Sequence, residues 1–135
     1  MRLYVGAITL MLVVTAFVLA DTAADEYDKL MKPAINANMK LTMSVTAGDL
    51  SAADSNADDV WVAFQDIKEY WMQRGVADAA MFAANIQQNA DDISSAAKSG
   101  DKAAAASSQM KIAASCAGCH MAHRVRNADN TYSIK

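Results

Sequence analysis

The chain has 135 residues, with 12 Lys+Arg against 15 Asp+Glu and a formal charge of −3. Hydrophobic residues make up 53%, much of it alanine, with one proline and five glycines, a mixture that favours helices in one domain over sheets. The acidic balance argues against binding to nucleic acid or an anionic membrane and suits a partner with a basic docking surface.

The first twenty residues form a unit of their own. Arg2 supplies a positive charge, "LYVGAITLMLVVTAFVL" follows without any charge, and "VLA" ends at Ala20 with the small side chains that signal peptidase requires. Residues 1–20 therefore read as a secretory signal, cleaved after Ala20, with the mature chain periplasmic and not inserted in the membrane. The alternative is an uncleaved anchor, because about 17 apolar residues is the lower limit for spanning a bilayer. Residues 1–20 carry Arg2 and no acid, so the remaining 115 residues have 11 basic against 15 acidic side chains, a formal charge of −4.

Within residues 21–135, Gly48, Gly75 and Gly100 suit helix C-caps and divide the chain into four segments of roughly 25 residues, each about 36 Å long if helical. Ser51 with Asp54 resembles a capping pair for the second segment, and Asp101 caps the fourth. Helical spacing of the buried face selects Tyr27, Met31, Ala34, Asn38, Leu41 and Val45 in the first. It selects Val60, Phe64, Ile67 and Trp71 in the second, and Ala79, Ala83, Ile86, Ala90, Ile93 and Ala97 in the third. The fourth gives Ala106, Met110, Ala113, Ala117, His120 and Arg124. Strand-like alternation is absent. The fold expected is all-α, an up-down-up-down antiparallel four-helix bundle. "NADNTYSIK" at the C-terminus lacks the pattern and reads as an extended tail.

"SCAGCHMAHR", Ser115 to Arg124, holds both cysteines and both histidines of the chain. Cys116-Ala-Gly-Cys119-His120 fits C-x-x-C-H, the attachment pattern for c-type haem. Two thiols add to the two vinyl groups, and the adjacent histidine ligates iron from the same side. A redox dithiol would be expected beside a βαβ pattern, which is missing, and a zinc site would have only His123 as a further ligand. Covalent haem c, one per chain and attached near the end of the last helix, is the expectation.

With that motif closing a four-helix chain, the sequence resembles the class II c-type cytochromes, the cytochrome c′ family. The residues carrying the resemblance are Cys116, Cys119, His120 and the basic Arg124. The resemblance implies a monohaem bundle with His120 as proximal ligand, and it makes a homodimer plausible, for which Ile35, Met39 and Met43 could supply an apolar side stripe.

The residue opposite His120 decides the function. His123 lies on the same helix and cannot reach the other face, so it reads as a haem-edge residue. In an antiparallel bundle the distal group comes from the early part of the first helix. Met31 falls about 40° from Tyr27 around that helix, whereas Met39 and Met43 lie near 120° and 160°, and Met39 is about 12 Å further along. Met31 is thus the expected second metal ligand, with an open site as the alternative. Tyr70, Trp71, Met81 and Phe82 are candidates for the pocket wall, and Trp61 reads as ordinary core. His/Met ligation makes the protein a soluble electron carrier; a vacant sixth position makes it a five-coordinate binder of small gases such as NO or CO. No constellation for acid–base or nucleophilic catalysis accompanies the motif, so an enzyme is not expected.

Overall fold

Alanine-rich segments punctuated by glycine produce four helices: α1 (Leu3–Ala47), α2 (Leu50–Gln73), α3 (Ala77–Ser99) and α4 (Lys102–His123). The computed structural model describes the backbone from Leu3 and side chains from Ala24 to Lys135. The expected signal segment, residues 1–20, falls outside those side chains. Among the described residues, no helix is long and apolar enough to cross a membrane.

Each interhelix turn is made the same way. Gly48, Gly75 and Gly100 adopt φ of 70°, 71° and 78°, a left-handed conformation that a Cβ disfavours. The following amide then returns to a carbonyl five residues back, as in Asp49 N–H to Ser44 O at 3.0 Å and Asp101 N–H to Ala96 O at 2.9 Å. Short reversals of this kind force consecutive helices to lie antiparallel. The N-cap of α2 differs from the expected Ser51–Asp54 pair. Asp49 caps it, its Oδ1 accepting from Ala52 N–H at 3.0 Å, because the glycine turn leaves no spare residues before the helix begins. Asp101 caps α4 as expected, accepting from Ala104 N–H at 2.9 Å. Pro33 sits inside α1, which continues to Ala47.

The core runs along the bundle from Leu41, Val60, Ile93 and Ile112 to Phe64, Ile67 and Trp71. The stripes expected for α2 and α3 are buried, apart from the partly buried Ala97, and so are Ala34 and Leu41 of α1. Trp61 is a correction: it is 37% exposed, with Val60 taking the inward position beside it.

The stripe expected for α4 is wrong by one residue. Ala105, Ser108, Gln109 and Ile112 are the buried side chains, and Cys116 and Cys119 pack against the core on the same line. Met110, chosen from the sequence, is 68% exposed, and Ala106, Ala113 and Ala117 face solvent. A one-residue offset turns a helix by about 100°. The reason is composition: alanine lies on every side of this helix, so apolar contrast cannot fix its rotation, and the true inner face includes Ser108 and Gln109.

The C-terminus is also a correction. Instead of an extended tail, β1 (Arg124–Arg126) pairs antiparallel with β2 (Tyr132–Ile134), with Arg124 opposite Ile134 and Arg126 opposite Tyr132. The turn is held by Asn127 N–H to Thr131 O at 2.8 Å and by Asp129 Oδ1, which accepts from both the amide and the hydroxyl of Thr131. Asn130 takes the positive φ of 67°. Ile134 packs against the core, so the hairpin is folded back onto the bundle.

Asp49→Ala should lower stability by about 1 kcal/mol through loss of the cap, read as a drop in Tm, and Ser51→Ala should leave Tm nearly unchanged. The reverse order would contradict the capping described above.

Candidate cofactor site

The last two turns of α4 bring Cys116, Cys119, His120 and His123 onto one side. Taking about 100° per residue, Cys119, Cys116 and His120 span an arc of about 100°. That arc is directed at two adjoining cavities. The larger, about 280 Å³, opens between α1, α4 and the hairpin and is lined by Tyr27, Met31, Trp71, Cys119, His120 and Arg124, among others. The smaller, about 20 Å³, lies deeper among all four helices and is lined by Tyr27, Met31, Phe82, Cys116, Cys119 and His120, among others. Tyr27, Met31, Cys119 and His120 line both. Tyr27, Met31, Trp71, Phe82, Cys116, Cys119, His120 and Arg124, all expected at the site, therefore meet at one end of the bundle.

Met39 and Met43 point outward from α1 with Ile35, all three being more than half exposed, although Ile35 also reaches the rim of the larger cavity. Among the wall candidates, Tyr70 and Trp71 are buried and Phe82 half-buried, but Met81 is 56% exposed because Ala80 and Ala83 take the inward positions around it.

Both cysteines are free thiols. Burial pushes the Cys116 thiol up. It raises Cys119 to about 11, with added contributions from the negative charges of Cys116 and Asp78. Both thiols therefore carry their protons at neutral pH. Desolvation, assisted by the neighbouring Arg124 cation, lowers the His120 pKa, which keeps its imidazole neutral and its lone pair available to a metal.

The opposite wall is aromatic. Tyr27, Tyr70 and Trp71 form a cluster with ring centroids 4.9 to 5.3 Å apart, and Trp71 Nε1–H donates to the Tyr27 hydroxyl at 3.2 Å. Burial raises the Tyr27 pKa to about 12 despite that hydrogen bond. Its hydroxyl is thus a neutral donor whose proton can serve a group in the cavity.

Three features were not found from the sequence. Gly118, between the cysteines, faces Phe82 so closely that an added Cβ would lie 2.6 Å from its Cε1. His123 is fixed by Asp78, Nε2 to Oδ2 at 2.9 Å, and by the Lys135 carbonyl at 3.2 Å, which ties α3 and the hairpin to the end of α4. Tyr132, Ser133 and Ile134 wall the larger cavity. A signal for the hairpin did exist, since Val125 and Tyr132 flank the turn-forming "NADN"; nothing local marks the other two, because their partners lie on other helices.

The donor set fits a haem attached through two thioethers. Two reduced thiols and a neutral imidazole sit at the required spacing, facing cavities that also hold a thioether. Among the described residues, no cluster of three or more His, Cys, Asp or Glu side chains could hold a bare metal ion. No known protein family, curated protein or solved structure matches the chain.

Gly118→Ala should destabilise the protein, the overpacking cost of about 1–3 kcal/mol exceeding about 1 kcal/mol of gained helix propensity, and Phe82→Leu in the same chain should recover part of the loss. A second expectation concerns acid. The His123 hydrogen bond holds the Asp78 carboxyl below its ordinary 3.8, so its contribution is present above that value and is lost as pH falls through the lower folded value. Thermal unfolding followed from pH 6 down to pH 2 should show a smaller decline in Asp78→Asn than in the parent.

Proposed function

We propose that this protein is an exported monohaem c-type cytochrome resembling the cytochrome c′ family, and that it carries electrons in the periplasm without catalysing a reaction of its own. The observation that carries the reading is the convergence of Cys116, Cys119 and His120 from α4 with Met31 from α1 on shared cavities. Each thiol adds across one vinyl C=C, sulfur bonding one carbon and hydrogen the other, so attachment needs reduced cysteines and no oxidant. His120 would supply a nitrogen ligand to the iron and Met31 a thioether sulfur, both residues lining the two cavities. When bound, haem supplies a one-electron Fe(III)/Fe(II) couple whose potential is raised by Met ligation. Phe82 and Trp71 exclude water, while Tyr27 offers its hydroxyl proton to the cavity.

The second reading, a five-coordinate binder of NO or CO, uses the same attachment by Cys116, Cys119 and His120 and differs in leaving Met31 off the iron.

Two experiments separate the possibilities. After acid acetone extraction the colour should stay with the polypeptide, one haem per chain, and Cys119→Ser should impair assembly; free haem in the supernatant would end the proposal. The parent should be six-coordinate and low spin in both oxidation states. Met31→Ala should then become high spin, lower the potential and bind CO faster, whereas Met39→Ala and Met43→Ala should leave the spectrum alone. A parent that is already high spin, and unmoved by Met31→Ala, would favour the gas-binding reading.

A further inference from the structure

We infer that the C-terminal hairpin is the docking face for the redox partner, and that this partner is a protein presenting carboxylates. The inference rests on the electron-carrier reading and reverses the partner expected from net charge. The overall charge is negative, yet the charges are unevenly distributed. Arg74, Arg124 and Arg126, all the arginines among the described residues, lie at the cavity end of the bundle. The acids at that end are largely occupied within the protein: Glu26 pairs with Arg74 at 2.8 Å, Asp28 with Lys32 at 2.7 Å and Asp78 with His123 at 2.9 Å. Asp129 is held in the hairpin turn by Thr131. Asp25 and Glu69 are the exceptions, neither having a cation partner among the described residues.

The hairpin cations are differently situated. Arg124 lies flat over the Tyr132 ring, its guanidinium carbon 3.4 Å from the centroid, with no carboxylate partner among the described residues. Arg126 donates to the neutral Asn130 side chain at 2.9 Å and has no carboxylate partner among the described residues. Lys135 is exposed beside them. Stacking restrains the guanidinium before any partner arrives, so less side-chain entropy is lost on pairing with a carboxylate. Val125 and Tyr132, 38% and 48% exposed, add apolar and aromatic contact of the kind that anchors protein interfaces. Tyr132, Ser133, Ile134 and Arg124 also wall the larger cavity, so a partner seated on the hairpin approaches the cofactor site closely.

Unpaired acids such as Asp58, Asp59, Asp91 and Asp92 lie on α2 and α3, about 18 Å or more along the helices from this end. There they oppose a broad anionic surface such as a membrane but leave a local patch free to bind carboxylates.

The test uses the ferrous protein with hexacyanochromate(III) as an anionic relaxation probe. Amide signals of residues 124–126 and 132–135 should broaden first. Arg124→Glu with Arg126→Glu should abolish the effect, and Arg124→Gln with Arg126→Gln serves if the reversed charges disturb folding. Preferential broadening elsewhere, or broadening of the hairpin by cationic hexaamminechromium(III) instead, would overturn the inference, as would sedimentation with phosphatidylserine vesicles. In parallel, oxidation by ferricyanide should slow as salt rises, and the Glu variant should lose that dependence. A chain without covalent haem would sink the carrier reading while the probe map still reports on the hairpin.

Discussion

Gln109 Nε2–H donates to Asn38 Oδ1 at 3.1 Å and to Thr42 Oγ1 at 2.9 Å, bridging α1 and α4, which pack against each other more sparsely than α1 and α2, α2 and α3 or α3 and α4 do. With Ile112 one turn further on, fully buried, this clasp sets which side of α4 faces the bundle. An alanine-rich helix has little else to fix its rotation, since burying one alanine face costs about the same as burying another. A turn of about 100° would carry Ala117 inward and Cys116 out, so the cavity-facing thiols depend on a polar contact well before the motif. Burying Gln109 leaves its Oε1 without a partner among the described residues. Such a group costs stability, and what it contributes is orientation.

The fixed rotation has chemical consequences. Two thiols turned into a half-buried position are held protonated, and His120 at the edge of the same arc is held neutral, both chiefly by desolvation. The small residues that let the helices approach elsewhere leave space at this end, where Tyr27, Tyr70 and Trp71 replace alanine packing with rings. The cavities persist because these rings are supported from behind: Arg74 lies over the Tyr70 ring at 3.4 Å, and Trp71 is wedged 5.3 Å from the His123 ring. A group that fills the space would bind the folded chain and not the unfolded one, so occupancy and bundle stability are linked.

The sequence was legible where contrast between faces was high. Leu41, Val60, Phe64, Ile67, Trp71, Ile86 and Ile93 stand out from polar neighbours, and the helices carrying them were oriented correctly. Gly48, Gly75 and Gly100 marked the turns because a left-handed residue is needed there. The candidate site was legible through C-x-x-C-H and through the rotation of Met31 relative to Tyr27, both local relations. Reading failed where the decisive partner was remote. Gln109 is buried only because Asn38 and Thr42 await it, and Gly118 is required only because Phe82 is opposite. The hairpin strands, three residues each, are too short to display alternation. Ser51 lost the capping role to Asp49 because the helix starts two residues earlier than the pattern suggested.

Net charge and local charge point to different partners, because the total sums over a surface that a partner never meets as a whole. Long-range steering follows the total, but a docked complex within about a Debye length, ~8 Å at physiological salt, responds to the charges at the contact. At the cavity end, Glu26 and Asp28 pair with Arg74 and Lys32 and Asp78 is hydrogen-bonded to His123, while the hairpin arginines have no carboxylate partner among the described residues. The same His123 that hydrogen-bonds Asp78 anchors Lys135, so one imidazole both seats the hairpin on the bundle and holds a carboxylate of α3 beneath it. Seating and charge are therefore coupled. A substitution at His123 should loosen the wall of the larger cavity and leave the Asp78 carboxylate without its hydrogen bond, changing access to the site and the character of its rim together.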